Sequence, residues 1–303
     1  MAFEPGYLRL YATGELHARA EAAAARLDPC RLCPRGCAAH RREGELGACG
    51  IGAAPVVSAA HPHAGEEPVL TGPFGSGTVF FTGCNLACRF CQNAEISQGR
   101  LGEAIAPSEL AEIMVALQNR GCPNINLVSP THQVAQILTA LPEAVERGLM
   151  VPLVYNCGGY ESVATLRLLE GVVDIYMPDL KYGDDAVGER LSGVPDYWRR
   201  ARAAVREMHR QVGDLVLDRR GLAQRGLLVR HLVLPGGLAG SRAVARFLAE
   251  EISRDTCVNV MDQYHPAHRA AGDPLLGRRP EPGAWEAAVA TFREAGLRRL
   301  VEV

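Results

Sequence analysis

The chain has 303 residues and a formal net charge of −2, from 32 basic and 34 acidic side chains. A chain of this length buries a large core, and its near-neutral charge gives no general attraction to nucleic acid or to a membrane surface. The first ten residues lack the apolar stretch of a signal peptide, and no apolar run reaches membrane-spanning length. We therefore expect a cytoplasmic protein with no membrane partner, and its charge argues against a nucleic-acid partner.

The first part of the chain combines a helical segment with a group of cysteines. Residues 8–27 are rich in Ala, Leu and Glu and predict a helix. Four cysteines follow, Cys30, Cys33, Cys37 and Cys49. Because a reducing compartment keeps thiols free, clustered cysteines indicate metal ligands rather than disulfides. Two interpretations remain open for this second site: a zinc ion or a fully ligated [4Fe-4S] cluster.

Residues 51–77 are rich in glycine and proline and predict mostly irregular structure. The segment HPHAGEEP lies within them and joins the cysteine-rich region to the remainder of the chain. His61 and His63 would share one side of an extended chain. Glu66 and Glu67 are candidates to line a cavity.

From residue 78 onward, short apolar segments alternate with stretches of helical periodicity. This pattern predicts an α/β fold in which a parallel sheet is covered by helices, and six such units can close into an open or partial barrel. A helix over 285–295 and a strand over 297–303 would follow. We expect residues 1–70 to form a helix with a cysteine-rich appendage and residues 71–303 to form the barrel domain. The predicted strands are 78–83, 125–130, 151–156, 172–179, 227–235 and 258–266.

Three further cysteines follow the first predicted strand, in the segment GCNLACRFCQN. Cys84, Cys88 and Cys91 are spaced to ligate three irons of a [4Fe-4S] cube, which leaves the fourth iron open to an external ligand. The alternative is a zinc ion with a distant fourth ligand. Catalytic and binding residues of parallel barrels lie at the carboxyl ends of the strands, and this loop is expected at such an end.

This cysteine motif, with Phe90 before its last cysteine, resembles the signature of the radical S-adenosylmethionine (radical SAM) superfamily. The order of TVFFTGCNLACRFCQN, PDLKY, VRHLVLPG and QYHPA resembles relatives of the pyruvate formate-lyase activating enzyme. The resemblance runs from about residue 60 to about residue 270 and implies a partial (β/α)6 TIM-like barrel. It implies a [4Fe-4S] cluster that binds S-adenosylmethionine, and a flavodoxin or ferredoxin as electron donor.

The resemblance also implies positions for cofactor-binding residues. Asp179 and Lys181 match an Asp-x-Lys pair that contacts S-adenosylmethionine, and successive strand residues alternate, so both point the same way. Lys181 is the only lysine in the sequence, which favours a need for its ammonium group. His265 matches a histidine near the cofactor at the end of the last barrel strand. Phe90 would place its ring near the adenine.

One part of the sequence departs from the activating enzymes. They carry Gly-Gly-Glu after the second strand to bind the amino group of the cofactor, whereas this chain has Ser-Pro-Thr-His. The hydroxyls of Ser129 and Thr131 are candidates to accept those hydrogen bonds. Asn156, at the end of the third strand, is a further candidate polar contact.

Three functions follow from these features. The chain would act as a radical SAM enzyme that produces a glycyl radical on a protein partner. Alternatively, it would modify a metabolite, a peptide or RNA directly. The third alternative is a non-catalytic iron–sulfur or zinc protein.

Overall fold

A computed structural model of the chain describes residues 3–301. Within these residues ten strands form one sheet in the order β10-β9-β8-β6-β5-β4-β2-β1-β3, with β7 paired to β8. Six consecutive members, β2, β4, β5, β6, β8 and β9, run parallel and form the partial (β/α)6 barrel. The strands are β1 (Val56–His63), β2 (Ser76–Phe81), β3 (Glu103–Ala104), β4 (Ile125–Val128), β5 (Leu153–Cys157), β6 (Ile175–Pro178), β7 (Val216–Leu217), β8 (Ala223–Leu232), β9 (Cys257–Met261) and β10 (Arg299–Leu300).

Helices cover the outer face of this sheet. In α5, for example, Pro107 occupies the first turn and the Glu109 carboxylate accepts a 2.7 Å hydrogen bond from the Ala106 N–H, which fixes the start of the helix. The helices are α1 (Gly6–Ala12), α2 (Glu15–Ala24), α3 (Pro68–Thr71), α4 (Ala94–Ser97), α5 (Pro107–Asn119), α6 (Val134–Glu146), α7 (Val163–Leu166), α8 (Asp185–Ser192), α9 (Tyr197–Val212), α10 (Ser241–Phe247), continued by a π-helical turn (Leu248–Ile252), and α11 (Ala284–Glu294).

All six predicted barrel strands are present, with ends that differ by a few residues from the sequence-based bounds. The expected single helix over 8–27 is instead two helices, because Gly14 adopts a left-handed conformation (φ 77°) between α1 and α2. The expectation of mostly irregular structure over 51–77 was wrong, because β1 pairs antiparallel with β2. Of the strand predicted over 297–303, residues 302 and 303 lie outside the described residues.

The interior of the barrel has an apolar lower half and a polar upper half. The lower half is closed by α3, whose Leu70 is buried among apolar side chains of the strands. Residues one position away along the same strands face outward instead and pack under the helices. The apolar interior residues are Leu70, Val154, Ile175, Met177, Leu215, Ala223, Leu228 and Cys257.

The N-terminal segment is anchored to the amino-terminal end of the barrel. The Tyr7 hydroxyl donates to the Val151 carbonyl at 2.8 Å, and the Asp174 carboxylate accepts from the backbone N–H groups of Gly6 and Leu153, each at 3.1 Å. The helix α2 packs against α6. Among residues 3–301 we find no helix with the length and apolar character that crossing a bilayer requires.

Candidate functional site

The three-cysteine loop begins directly after β2, at the carboxyl end of the barrel. Gly83 allows the chain to turn there with a φ of 81°. The sulfurs then accept polar contacts: the Leu86 N–H donates to Cys84 Sγ at 3.4 Å, and Cys88 Sγ lies 3.0 Å from the Ser192 hydroxyl. Cys91 Sγ lies 3.2 Å from the Ser97 hydroxyl. The loop is therefore held by the end of β2, by α4 and by α8.

The spacing of the sulfurs indicates the kind of metal group that they fit. A tetrahedral zinc ion with bonds of about 2.3 Å would bring its sulfurs to about 3.8 Å from one another. Within residues 3–301, however, the only three potential ligands whose donor atoms all lie within 4.8 Å are Asp28, His40 and Glu43. Neither cysteine group is collapsed around the position of a single ion. Both groups supply cysteine sulfurs, the donor atoms that ligate an iron–sulfur cluster.

A cavity of about 240 Å³ lies beside this loop. Its wall combines two of the loop cysteines with side chains from the ends of β6, β8 and β9. The Phe90 ring packs edge-on against Tyr182, with ring centres 6.3 Å apart, and is held at this wall. The lining residues are Cys88, Phe90, Cys91, Gln92, Asn93, Asp179, Lys181, Arg230, Leu232, Met261 and Gln263.

Three charged side chains form a network at the bottom of this cavity. Lys181 Nζ donates to one Asp179 oxygen at 2.6 Å, and Arg230 Nε donates to the other at 2.9 Å. Burial alone would raise the pKa of Asp179, but the two cations outweigh it and hold the pKa below its usual range. Burial would likewise lower the pKa of Lys181, yet the Asp179 carboxylate raises it. All three groups are therefore charged at neutral pH.

The other predicted cofactor-binding residues lie at different distances from the cavity. Asn156 is close to it, because its side-chain oxygen accepts from Arg230 at 2.7 Å. His265 lies at its rim, with Nδ1 3.3 Å from the amide nitrogen of Gln92. Ser129 directly follows β4 and has a left-handed φ of 58°, a conformation that needs support from its surroundings in a non-glycine residue.

The Thr131 side chain contacts a buried glutamate and not the cavity. Its hydroxyl donates to Glu161 Oε1 at 2.6 Å and is buried, and the Tyr155 hydroxyl donates to the other oxygen of Glu161 at 3.0 Å. Burial raises the pKa of Glu161 to about 7, although both hydroxyls oppose the shift. Thr131 therefore orients a buried carboxyl group and does not line the cavity.

Two residues of the site were missed by sequence reasoning. Arg230 contacts both Asp179 and Asn156, but nothing distinguishes it in the sequence from the many other arginines. Glu161 follows the carboxyl end of β5, where functional residues of parallel barrels lie, and this position could have identified it from the sequence.

The four cysteines of the N-terminal region form a separate group in a segment with little regular structure. A Cβ placed on Gly47 would lie 3.2 Å from Cys49 Sγ and 3.6 Å from Cys37 Sγ, so both sulfurs border the same small space. The buried Arg41 lies beside the group, 3.8 Å from Cys30 Sγ. All four thiols are free, and the positive charge beside them suits a group whose thiolate ligands are anionic.

This second cysteine group touches the three-cysteine loop. A Cβ placed on Gly83, the residue before Cys84, would lie 2.6 Å from the Cys49 carbonyl oxygen. The Arg35 guanidinium donates to the Asn85 carbonyl at 2.6 Å. The two cysteine groups are therefore neighbours in the fold, although they are far apart in sequence.

The amino-acid sequence is similar to a known protein family and to one protein of known sequence. The model of the radical SAM superfamily matches residues 78–219. The uncharacterized protein MJ0674 of Methanocaldococcus jannaschii is 33% identical over 260 residues, which cover 82% of this chain and 70% of that protein.

Among solved structures, a radical SAM methyltransferase from Sphaerobacter thermophilus aligns with a TM-score of 0.50 at 17% identity, over 74% of this chain. A structure of native anSMEcpe with bound AdoMet aligns with a TM-score of 0.49 at 9% identity, over 72% of this chain. The chain spans 65% of the length of the methyltransferase and 61% of the length of anSMEcpe. The similarity to the methyltransferase supports the fold alone. The family match over residues 78–219 and the three-cysteine loop within it show that the chain belongs to the radical SAM superfamily of enzymes.

Proposed function

We propose that this protein cleaves S-adenosylmethionine reductively and uses the resulting radical on a substrate inside its barrel. One observation carries this proposal: the three-cysteine loop borders, through Cys88 and Cys91, a cavity that also contains a charged Asp179–Lys181 pair. When bound, the cluster supplies one electron to the sulfonium. With that electron, the C5′–S bond would be cleaved to methionine and, after a hydrogen atom is taken from a substrate C–H bond, 5′-deoxyadenosine, which would leave a substrate radical.

The residues of the chain bind and orient the cofactor. Cys84, Cys88 and Cys91 would hold the [4Fe-4S] cluster as its only protein ligands, and S-adenosylmethionine would bind to that cluster. The Lys181 ammonium is oriented by Asp179, so it presents its remaining hydrogens to an anionic or hydroxyl group in the cavity. The apolar Phe90 ring gives the adenine a flat surface. A reduced flavodoxin or ferredoxin is the proposed electron donor.

We assign the four N-terminal cysteines to a second [4Fe-4S] cluster rather than to zinc. The contact of their segment with the three-cysteine loop supports this choice. Metal analysis after anaerobic reconstitution tests it. Wild type should contain about eight irons, Cys30→Ala about four, and neither should retain zinc. A stoichiometric zinc content that is lost in Cys30→Ala would show the assignment to be wrong.

Two substrates remain as candidates. The resemblance to activating enzymes supports a glycine residue of a protein partner, which would hold a stable radical after the reaction. The burial of the polar side chains inside the barrel supports a small molecule instead, because Asn126 and Glu67 are closed to bulk solvent.

The cleavage reaction is tested by anaerobic reconstitution with iron and sulfide, followed by dithionite and S-adenosylmethionine. We expect 5′-deoxyadenosine from wild type and none from Cys84→Ala. Cys122→Ala is the matched control, because Cys122 is buried in the same fold but belongs to neither group, and it should retain the activity. Equal product from wild type and Cys84→Ala would contradict the proposal.

A further inference from the structure

Arg41 is a charged side chain that is almost completely buried beside the four N-terminal cysteines, which we call the four-cysteine group. Only 1% of Arg41 is exposed. Its guanidinium donates two hydrogen bonds to the Gly52 carbonyl, at 2.9 and 2.7 Å, and one to the His132 carbonyl at 2.9 Å. The remaining contact is Cys30 Sγ, at 3.8 Å. Backbone carbonyls therefore fix the position of the guanidinium, but they carry no opposite charge.

The guanidinium of Arg41 has no carboxylate partner. Among residues 3–301 it takes part in no ion pair, and the neighbouring Asp28 pairs with His40 instead. A buried charge without an opposite charge is strongly unfavourable. The cysteines can supply that charge: burial raises the pKa of Cys49 and the Arg41 charge opposes this shift, so the guanidinium acts on Cys49 as well as on Cys30. The thiolates of the four-cysteine group are therefore the counter-charge of Arg41.

A cation in this position affects how readily the four-cysteine group accepts an electron. Four thiolate ligands outweigh the positive charge of an iron–sulfur core, so the complete group is anionic, and each accepted electron adds a negative charge. A buried guanidinium stabilises that added charge strongly, because water does not screen the attraction. The reduction potential of such a cluster depends on its charge and on hydrogen bonds to its sulfurs, and Arg41 acts on both.

The four-cysteine group lies between the protein surface and the three-cysteine loop. Cys37 is exposed, whereas Cys88 is buried and Cys91 is half-buried at the wall of the cofactor cavity. On its inner side the group touches the loop, because the Cys49 carbonyl packs against Gly83. A protein donor can therefore approach the four-cysteine group at Cys37 without entering the cofactor cavity.

His132 connects Arg41 to the chain that precedes the three-cysteine loop. Its carbonyl accepts from Arg41, and its ring Nε2 donates at 2.7 Å to the carbonyl of Thr82, two residues before Cys84. Burial lowers the pKa of His132 to about 4, so its ring is neutral at pH 7 and Arg41 is the charged member of this contact. Arg41 therefore lies where the two cysteine groups meet.

We propose that Arg41 raises the reduction potential of the four-cysteine group, and that this group receives the electron from the protein donor and passes it to the three-cysteine loop. The inference rests on the proposed function and assigns a positioning residue to its electron-transfer step. One electron leaves the reduced flavodoxin or ferredoxin and one arrives at the cluster of the three-cysteine loop. The donor is thus oxidised by one electron, and the four-cysteine group returns to its initial state.

A reductive titration followed by electron paramagnetic resonance tests the effect on the potential. The full chain is reconstituted anaerobically in a Cys84→Ala background, in which the four-cysteine group is observed alone. We expect Arg41→Met to lower the equilibrium constant for one-electron reduction at least about 10-fold, which makes the midpoint about 59 mV more negative. Arg41→Lys retains the charge and should stay within about threefold of the parent. Arg31→Met is the matched control, because Arg31 is exposed beside Cys30 and water screens its charge, and it should also stay within about threefold.

Each other outcome of this titration would overturn the inference. Equal midpoints in Arg41→Met and Arg31→Met would show that the buried charge has no effect on the potential. Zinc in the four-cysteine group, with no redox transition, would show that the group carries no electron. If Arg41→Met takes up no iron, Arg41→Lys must take up iron and keep the midpoint of the parent. Loss of iron in both variants would assign Arg41 to assembly alone.

The choice of reductant tests the route of the electron. Formation of 5′-deoxyadenosine is measured with reduced flavodoxin and, separately, with dithionite, which is small enough to enter the cofactor cavity. We expect the ratio of the flavodoxin-driven rate to the dithionite-driven rate to fall at least about 10-fold in Arg41→Met and to be unchanged in Arg31→Met. Absence of product from wild type with dithionite would reject the proposed function. Product formation with the same ratio in Arg41→Met and wild type would reject the electron route alone.

Discussion

Arg230 joins Asp179 and Asn156, beside the three-cysteine loop, to Glu66, and replacing it by methionine tests whether this network stabilises the barrel. The guanidinium contacts Asp179 at 2.9 Å, Asn156 at 2.7 Å and Glu66 at 3.6 Å, and only 18% of the side chain is exposed. After the substitution by methionine, Lys181 is the one remaining cation that pairs with Asp179. The substitution also leaves Glu66 without its cation. Breaking a buried ion pair in this way costs about 3–5 kcal/mol.

The assay is urea unfolding followed by far-UV circular dichroism at pH 7.5 under anaerobic conditions. We expect Arg230→Met to lower the free energy of unfolding by about 3–5 kcal/mol. The cost should fall by about 1 kcal/mol in a Glu66→Gln background, because Glu66, whose pKa burial raises to about 7, is only partly charged when it loses its cation. Arg246→Met, which removes an exposed partner of Glu250, should change the free energy by less than about 0.5 kcal/mol.

Two results would refute this reasoning. A cost below about 1 kcal/mol for Arg230→Met would mean that the guanidinium does not compensate buried charge. An equal cost in the wild-type and Glu66→Gln backgrounds would mean that Arg230 and Glu66 are not coupled.

Three other predictions concern the loop, the cofactor and the N-terminal anchor. Gly83→Ala should lower the iron content of both cysteine groups, because its Cβ would collide with the Cys49 carbonyl. The control is Gly237→Ala, which has a similar φ of 68° and no neighbour within 4 Å of the added Cβ, and this variant should retain its iron. Lys181→Met should raise the KM for S-adenosylmethionine about 10- to 100-fold, with Lys181→Arg intermediate, and an unchanged KM would contradict its role. Burial raises the pKa of Asp174 to about 7, so its stabilising contribution is complete below about pH 4 and is lost as the pH rises through 7. The free energy of unfolding of wild type should therefore decline relative to Asp174→Asn between pH 5 and 7, by up to about 1.4 kcal/mol per pH unit, and parallel pH curves would contradict this.

The parts of the site that depend on local spacing could be predicted from the sequence. The three cysteines lie within eight positions of one loop, and their relation to the preceding strand needs no knowledge of distant residues. Asp179 and Lys181 face the same way because side chains alternate along an extended chain, and the structure joins them by a 2.6 Å ion pair.

The parts that depend on distant contacts could not be predicted in the same way. The Thr131 hydroxyl was expected near the cofactor, but its partner is Glu161 on the loop after the next strand, and sequence spacing does not reveal such a pair. The strand β1 was missed because Pro62 and two histidines interrupt the apolar alternation; pairing with β2 forms it instead. Glu66 and Glu67 were candidates for a cavity lining, and the partners that the structure gives them, Arg230 and Asn259, carried no signal in the sequence.

The central claim is that one iron of the cluster held by Cys84, Cys88 and Cys91 has no protein ligand and binds the cofactor instead. Electron–nuclear double resonance on the reduced cluster tests it directly, with S-adenosylmethionine carrying 15N in its amino group. A Cys30→Ala protein isolates this cluster from the second group. The account predicts a 15N coupling to the cluster that disappears when the cofactor is omitted. A reduced cluster with no 15N coupling at saturating cofactor would contradict it.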